Sequence, residues 1–237
     1  ISGTLHALGE AGGKPVAPIN LVGDFGGGGM MLAFGMLAAV LKAQATGQGQ
    51  VVDCAMTDGS AALASMIWGF RAMGRWSGER GTNLLDGGAH FYGTYETADG
   101  KWIAVGAIEP QFYAALRRVM GLDGGEWDAQ FAPASWPRLK AELADRFKLR
   151  TRDAWVSAFE GHEACVAPVL GFDEAVAHPH NVARATFVTA GGITQPAPAP
   201  RYSVSATVPP RMAGAPDGAA ILAEAGFTPA EIAALRF

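Results

Sequence analysis

The chain has 237 residues, with 18 basic and 22 acidic side chains and a formal net charge of −4. That length supports one large domain or two small ones around a sizeable core, and a mildly acidic surface without a Lys/Arg cluster argues against a nucleic-acid backbone as partner. The longest apolar run, Met30 to Leu41, falls short of a bilayer span and contains Gly35, so no membrane association is expected.

Residues 1–23 carry the turn formers Gly12, Gly13, Pro15 and Pro18 and read as irregular. Ile1 to Leu8 reads as the interior of a domain, so a further segment is expected upstream. Gly23-Asp24-Phe25-Gly26-Gly27-Gly28-Gly29 leads into Met30–Gln44, expected as a buried helix ended by Gly47 and Gly49. Gln50–Ala55 is β-branched and reads as a short strand. An apolar helix from about Thr57 to Met73 follows, with Asp58 in its first turn. Helices alternating with a short buried strand point to a layered α/β domain.

Arg75–Gly88, rich in glycine and charge, reads as a linker. His90–Thr97 and Lys101–Ala107 alternate around Ala98-Asp99-Gly100 and form the clearest hairpin. Glu109-Pro110-Gln111-Phe112 opens a helix to Met120, with Pro110 at the first helical position, where its missing N–H costs nothing. Further helices are expected at about Pro137–Leu149, Thr151–Glu160 and Asp173–Ala177, with a strand at Cys165–Leu170. Residues 189–215 are proline-rich and read as an extended connection. A helix pair ends the chain, and Thr228-Pro229-Ala230-Glu231 is a capping box with proline at its first position.

Two carboxylates stand out. Asp24 lies between Gly23 and four glycines, where a tight turn and a helix starting near Gly28 can aim N–H groups and a positive dipole end at a developing oxyanion. Helix capping by Asp24 explains the same residues equally well. Glu109 ends an apolar strand and opens a helix, a place for a functional carboxylate and also for a cap. His90 reads as an edge residue. His178 and His180 lack the surrounding Cys or carboxylate set of a metal site, so no metal is expected. Cys54 and Cys165 read as reduced core thiols of a cytoplasmic protein. No signal-peptide pattern or peroxisomal address is read at the ends. The tetraglycine lacks the frame of a dinucleotide site, and no G-x-S-x-G, Walker A or H-E-x-x-H motif occurs.

Taken together, Ile1-Ser2-Gly3, PINLVGDFGGGG (18–29), TGQGQVVDCA (46–55), RGTNLLDGGAHFY (80–92) and YETADGKWIAVGAIEPQF (95–112) resemble the family III CoA-transferases, specifically their α-methylacyl-CoA racemase branch. The resemblance is less specific beyond Phe131, through CVAPVL (165–170). It implies a Rossmann-like large domain completed by both chain ends, joined by two linkers to a small α+β domain, in an interlocked homodimer. Residues 1–56 would then belong to the large CoA-binding domain, 57–89 to a linker helix and loop, 90–188 to the small domain, and 189–237 to a linker and C-terminal return. In the racemases a His supported by an Asp forms one acid/base and a Glu from the partner forms the other. Asp24 falls on that Asp and Glu109 on that Glu. The family's His and most CoA-holding residues fall upstream of Ile1, and none of His6, His90, His162, His178 or His180 matches it.

The implied reaction inverts the α-carbon of a 2-methylacyl-CoA thioester through an enolate, with coenzyme A as part of the substrate and no separate cofactor. Two acid/base groups on opposite faces move the proton. Backbone donors at Asp24, Phe25, Gly26 and Gly27 would hold the enolate oxygen. Within the same family the alternative is CoA transfer, with Asp24 itself as the nucleophile. Glu109, in GAIEPQF where transferases carry a mobile glycine loop, favours the racemase. A third reading is a non-catalytic paralogue that only dimerises. Met30, Met31 and Met36 could line an apolar acyl surface, but three methionines on a buried helix fit a core more simply.

Overall fold

Alternation in 92–106 produces the hairpin that the sequence announces. Strands β1 (Tyr92–Glu96) and β2 (Trp102–Gly106) pair antiparallel with Tyr95 opposite Ile103. Thr97 N–H donates to Lys101 O at 2.9 Å, and Gly100 takes the positive φ of 72° that the turn requires. Strand β3 (Val166–Val169) adds on the other side of β2, also antiparallel. This computed structural model describes residues 1–208, 210 and 217–235. The chain divides into two units, Ile1–Val169 and Leu170–Phe237.

One face of the sheet is packed by α4 (Pro110–Met120), α5 (Trp136–Phe147) and α6 (Arg152–Phe159). Phe91, Ile103, Leu116, Leu139, Leu143 and Phe147 are completely or almost completely buried there. Each such side chain contributes about 1.5–3 kcal/mol on leaving water. The Phe147 ring stacks on Tyr95 with centroids 5.1 Å apart and meets Trp155 edge-on at 5.3 Å. The Tyr95 hydroxyl donates to His90 O, and Trp155 Nε1 donates to Phe147 O at 2.8 Å. The sheet, α4 and the two following helices therefore lie within a few residues of their expected positions.

The first 88 residues depart further from expectation. The glycine run is itself helical: Leu21–Met30 forms a π-helix that continues into α1 (Met31–Thr46). Its glycines permit a close backbone approach. Gly27 and Gly59 of α2 (Met56–Leu63) touch so closely that a Cβ on Gly59 would stand 1.8 Å from Gly27 O. Helix α1 buries none of its residues, contrary to the expected core helix. Phe34 is 72% exposed, and Met30 and Met36 are also exposed, so the described residues supply no opposing face for them to form a core. The combined helical stretch Leu21–Thr46 has 26 residues and contains an 18-residue window with a mean hydropathy of 1.5. By length and composition it reaches a bilayer span, which the shorter run read from sequence did not.

Gln50–Ala55, expected as a strand, joins no ladder among the described residues. The helix expected at 57–73 is two, α2 and α3 (Ser65–Ala72), separated at Ala64. The 77–88 loop is braced by Asp86, whose carboxylate accepts from the N–H groups of Gly81 (2.8 Å), Asn83 (2.7 Å) and Gly88 (3.3 Å) and from Asn83 Nδ2 (2.7 Å). Cys54 is half-buried, with Sγ 3.7 Å from Gly28 O, whereas Cys165 is exposed rather than core. The chain turns through a left-handed φ of 49° at Cys165, just before β3, and that leaves its side chain outside the packed face.

The second unit holds α7 (Phe172–Ala177), α8 (Pro179–Ala183), a hairpin of β4 (Phe187–Ala190) and β5 (Ile193–Pro196), α9 (Gly218–Glu224) and α10 (Pro229–Ala234). The hairpin occupies the start of the stretch expected to be an extended connection. The Thr228 capping box forms: Glu231 N–H donates to Thr228 Oγ1 at 3.3 Å and Thr228 N–H to Glu231 Oε2 at 2.8 Å. Residues 209 and 211–216 of the proline-rich connection, and the terminal Arg236 and Phe237, lie outside the described residues.

Candidate functional site

Asp24 sits in the first turn of the π-helix, exposed, and its carboxylate accepts no hydrogen bond among the described residues. The capping explanation therefore fails: Asn20 occupies the N-cap position, and neither side chain caps. A helix that starts at Leu21 rather than Gly28 surrounds Asp24 with its own first-turn amides. The Phe25 amide donates to Asn20 O at 3.1 Å, while Val22 and Gly23 N–H meet no backbone acceptor ahead of the helix among the described residues. Gly26 is half-buried, and Gly27 is buried against the backbone of Gly59 and Ser60. Of the four residues expected to form an oxyanion surface, Phe25 thus has its amide engaged and Gly27 faces α2. The amides without a backbone acceptor are those of Val22 and Gly23, ahead of Asp24. Ile19, at φ 57°, introduces this turn in a conformation rare for a β-branched residue, and such strain concentrates at functional sites.

Glu109 occupies the N-cap of α4 in extended conformation (φ −69°, ψ 142°), and no side-chain cap bond is made. Its backbone carbonyl accepts Tyr113 N–H at 3.0 Å. The side chain is exposed and makes no hydrogen bond among the described residues. The chain reaches it through a tight turn: Ala107 N–H donates to Phe91 O and Ile108 N–H to Gly106 O, each at 2.9 Å. Gln130, which no sequence signal singled out, is buried beside this turn. Its Nε2 donates to Ala107 O at 3.1 Å and Ile108 O at 2.8 Å, and its backbone carbonyl accepts Trp136 Nε1 at 2.9 Å. Partial desolvation and the carboxylates of Glu109 and Glu163 hold the Cys165 thiol above its ordinary pKa, which places Cys165 in the field of Glu109.

Asp24, in the first turn of the π-helix, and Glu109, at the N-cap of α4, lie on separate elements, and no hydrogen bond joins them among the described residues. A cavity of about 310 Å³ is lined by His6, Trp68, Arg71, Trp76 and Arg80 among others, and includes neither carboxylate. Arg80 also ties down the segment ahead of Asp24, donating from Nε to His6 O (2.9 Å) and from Nη1 to Gly13 O (2.6 Å). His90 is fully buried rather than at an edge. Its Nε2 is 2.8 Å from Tyr113 Oη, its Nδ1 has no partner, and burial lowers its pKa to about 4. Among the described residues no group of three or more His, Cys, Asp or Glu side chains is placed to hold a metal ion.

Comparison with known proteins gives this geometry a context. The chain is 45% identical over its whole length to mouse (Mus musculus) α-methylacyl-CoA racemase, covering 63% of that protein. It is 44% identical over 88% of its length to the human (Homo sapiens) α-methylacyl-CoA racemase, covering 55% of it. The chain thus spans little more than half to two thirds of the curated relatives it matches. A crystal structure of a CAIB/BAIF family protein from Brucella suis superposes with a TM-score of 0.71 at 22% identity, covering 94% of this chain and 60% of that one. The family model of CoA-transferase family III matches residues 1–220. With the match extending over nearly every element described above, the chain belongs to CoA-transferase family III.

Proposed function

We propose that the protein is an α-methylacyl-CoA racemase, inverting the α-carbon of 2-methylacyl-CoA thioesters. The observation that carries this reading is the free carboxylate of Glu109, exposed on a rigid strand-to-helix junction and not consumed as a cap. The 45% identity to the mouse racemase supports it. Glu109 removes the α-proton from one face, and the C–H electron pair moves into the thioester to give an enolate. An imidazole on the other face, supplied by the part of the family fold that this chain does not span, returns a proton to that face. Reversal converts the opposite enantiomer. Each well-placed acid/base group contributes roughly 10²–10⁴-fold. Asp24 holds the tautomer of that imidazole and stabilises its cation, and first-turn amides at Val22 and Gly23 receive the enolate oxygen.

The working form in this reading is an interlocked homodimer, in which Glu109 of one subunit serves Asp24 of the other. The placement of the two carboxylates on separate elements supports this, as does the apolar surface that α1 leaves uncovered. No cofactor is needed beyond the CoA carried by the substrate. Both cysteines are free, which suits the reducing cytoplasm, and the substrate class places the protein in lipid metabolism. The test is incubation of the complete gene product with one enantiomer of a 2-methylacyl-CoA in D₂O, without a carboxylate acceptor. Racemisation with α-deuteration is the expected result. Retained configuration, together with CoA passing to an added carboxylate, overturns the racemase and makes Asp24 the nucleophile of a transferase.

A further inference from the structure

We infer that Gln130 is a positioning residue for Glu109: a buried amide that fixes the peptide planes from which the Glu109 side chain projects. The inference rests on the racemase reading above. The Glu109 side chain makes no cap bond and no hydrogen bond among the described residues, so its aim depends on its backbone. Strand β2 ends at Gly106, and the carbonyls of Ala107 and Ile108 have left the ladder that would otherwise have paired them. Gln130 Nε2 has two hydrogens and takes both carbonyls, at 3.1 and 2.8 Å.

The Ile108 carbonyl lies in the peptide plane that contains Glu109 N, so this bond sets the orientation of that plane. On the other side, the Glu109–Pro110 plane is set by Tyr113 N–H, which donates to Glu109 O at 3.0 Å. Proline fixes the φ that follows. Both planes flanking Glu109 are pinned while its side chain stays free to meet substrate. Gln130 is itself held, because it is 7% exposed and Trp136 Nε1 donates to its backbone carbonyl at 2.9 Å, which fixes the main chain from which the amide projects. None of the clamp's hydrogen bonds reaches the Asp24 segment.

That separation gives the test. In the complete protein, Gln130→Met keeps the length and bulk of the side chain and removes both donors. Deuterium wash-in is measured separately for the two enantiomers of a 2-methylacyl-CoA. The enantiomer whose proton faces Glu109 is expected to exchange slower by on the order of 10- to 100-fold, as sub-ångström misplacement of a catalytic group produces. The other enantiomer, deprotonated from the opposite face, is expected to keep its exchange rate with retention of configuration. Trp136→Phe, which loosens Gln130 without removing it, is expected to give the same asymmetry at smaller size and covers the case in which Gln130→Met does not fold. Equal slowing of both enantiomers in the folded variants, or no slowing, overturns the positioning role and leaves the racemase reading standing. Absence of exchange with either enantiomer in the unsubstituted protein overturns both.

Discussion

Replacement of Gly59 by alanine probes the contact that sets the Asp24 turn. The added Cβ would stand 1.8 Å from Gly27 O, 2.5 Å from Gly27 C and 2.7 Å from Gly27 Cα, whereas ordinary contact begins at 3.4 Å. The two backbones must therefore part by the difference, 1.6 Å. Every atom met belongs to main chain inside a helical segment, so no side chain can rotate away to absorb it. Overpacking costs typically 1–3 kcal/mol, and with no flexible neighbour about 3 kcal/mol is expected here. At roughly 2–4 °C per kcal/mol for a chain of this size, the thermal midpoint falls by about 6–12 °C. Gly69→Ala is the control: it lies inside α3 with no atom within 4 Å of its Cβ position and no positive φ. That change is expected to stabilise by about 0.5–1 kcal/mol. Circular dichroism melts of both variants test the argument. A Gly59→Ala midpoint within a degree of the unsubstituted protein would refute the backbone-contact account of the glycine run.

Two further predictions concern the core and the braced loop. Burial holds the His90 pKa at about 4 against an ordinary 6.5. The folded state therefore keeps the ring neutral, while the unfolded chain takes up a proton below about pH 6.5. Stability is full above that value and falls as the pH drops toward 4, by about 3 kcal/mol in total. Urea midpoints between pH 4 and 7 should show this slope, and His90→Gln should flatten it. Asp86→Ala deprives four N–H donors of their acceptor. A loss of about 2–4 kcal/mol is expected, read as a lower thermal midpoint and faster tryptic cleavage at Arg75 and Arg80.

The elements legible in the sequence are those whose signals are local. Alternation and Gly100 give the β1–β2 hairpin, Pro110 gives the start of α4, and the Thr228–Glu231 pair gives the start of α10. The glycine run was illegible as a helix because glycine has poor helix propensity, and its helicity depends on packing against Gly59, 32 positions away. Gln50–Ala55 has the composition of a strand, but a strand also needs a neighbour's hydrogen bonds. The β4–β5 hairpin did carry a signal, Gly191-Gly192, with both residues at positive φ (56° and 80°), as a two-residue turn demands. The prolines that follow obscured it. At the candidate site, Asp24 and Glu109 were visible as carboxylates in unusual settings, because glycine and proline punctuate the sequence beside them. Gln130 was invisible, since its function comes from hydrogen bonds across 22 and 23 positions and not from any motif.

In the proposed racemase, Glu109 is one of two acid/base groups acting on opposite faces of an acyl-CoA α-carbon. The most direct measurement is enantiomer-resolved deuterium wash-in on the complete protein carrying Glu109→Gln. The side chain makes no cap or other hydrogen bond, so the fold and its thermal midpoint are expected to be unchanged. Exchange of one enantiomer is expected to fall by about 10²–10⁴-fold, with racemisation lost and exchange of the other enantiomer retained. Unchanged racemisation in this variant would contradict the account and remove Glu109 from the mechanism.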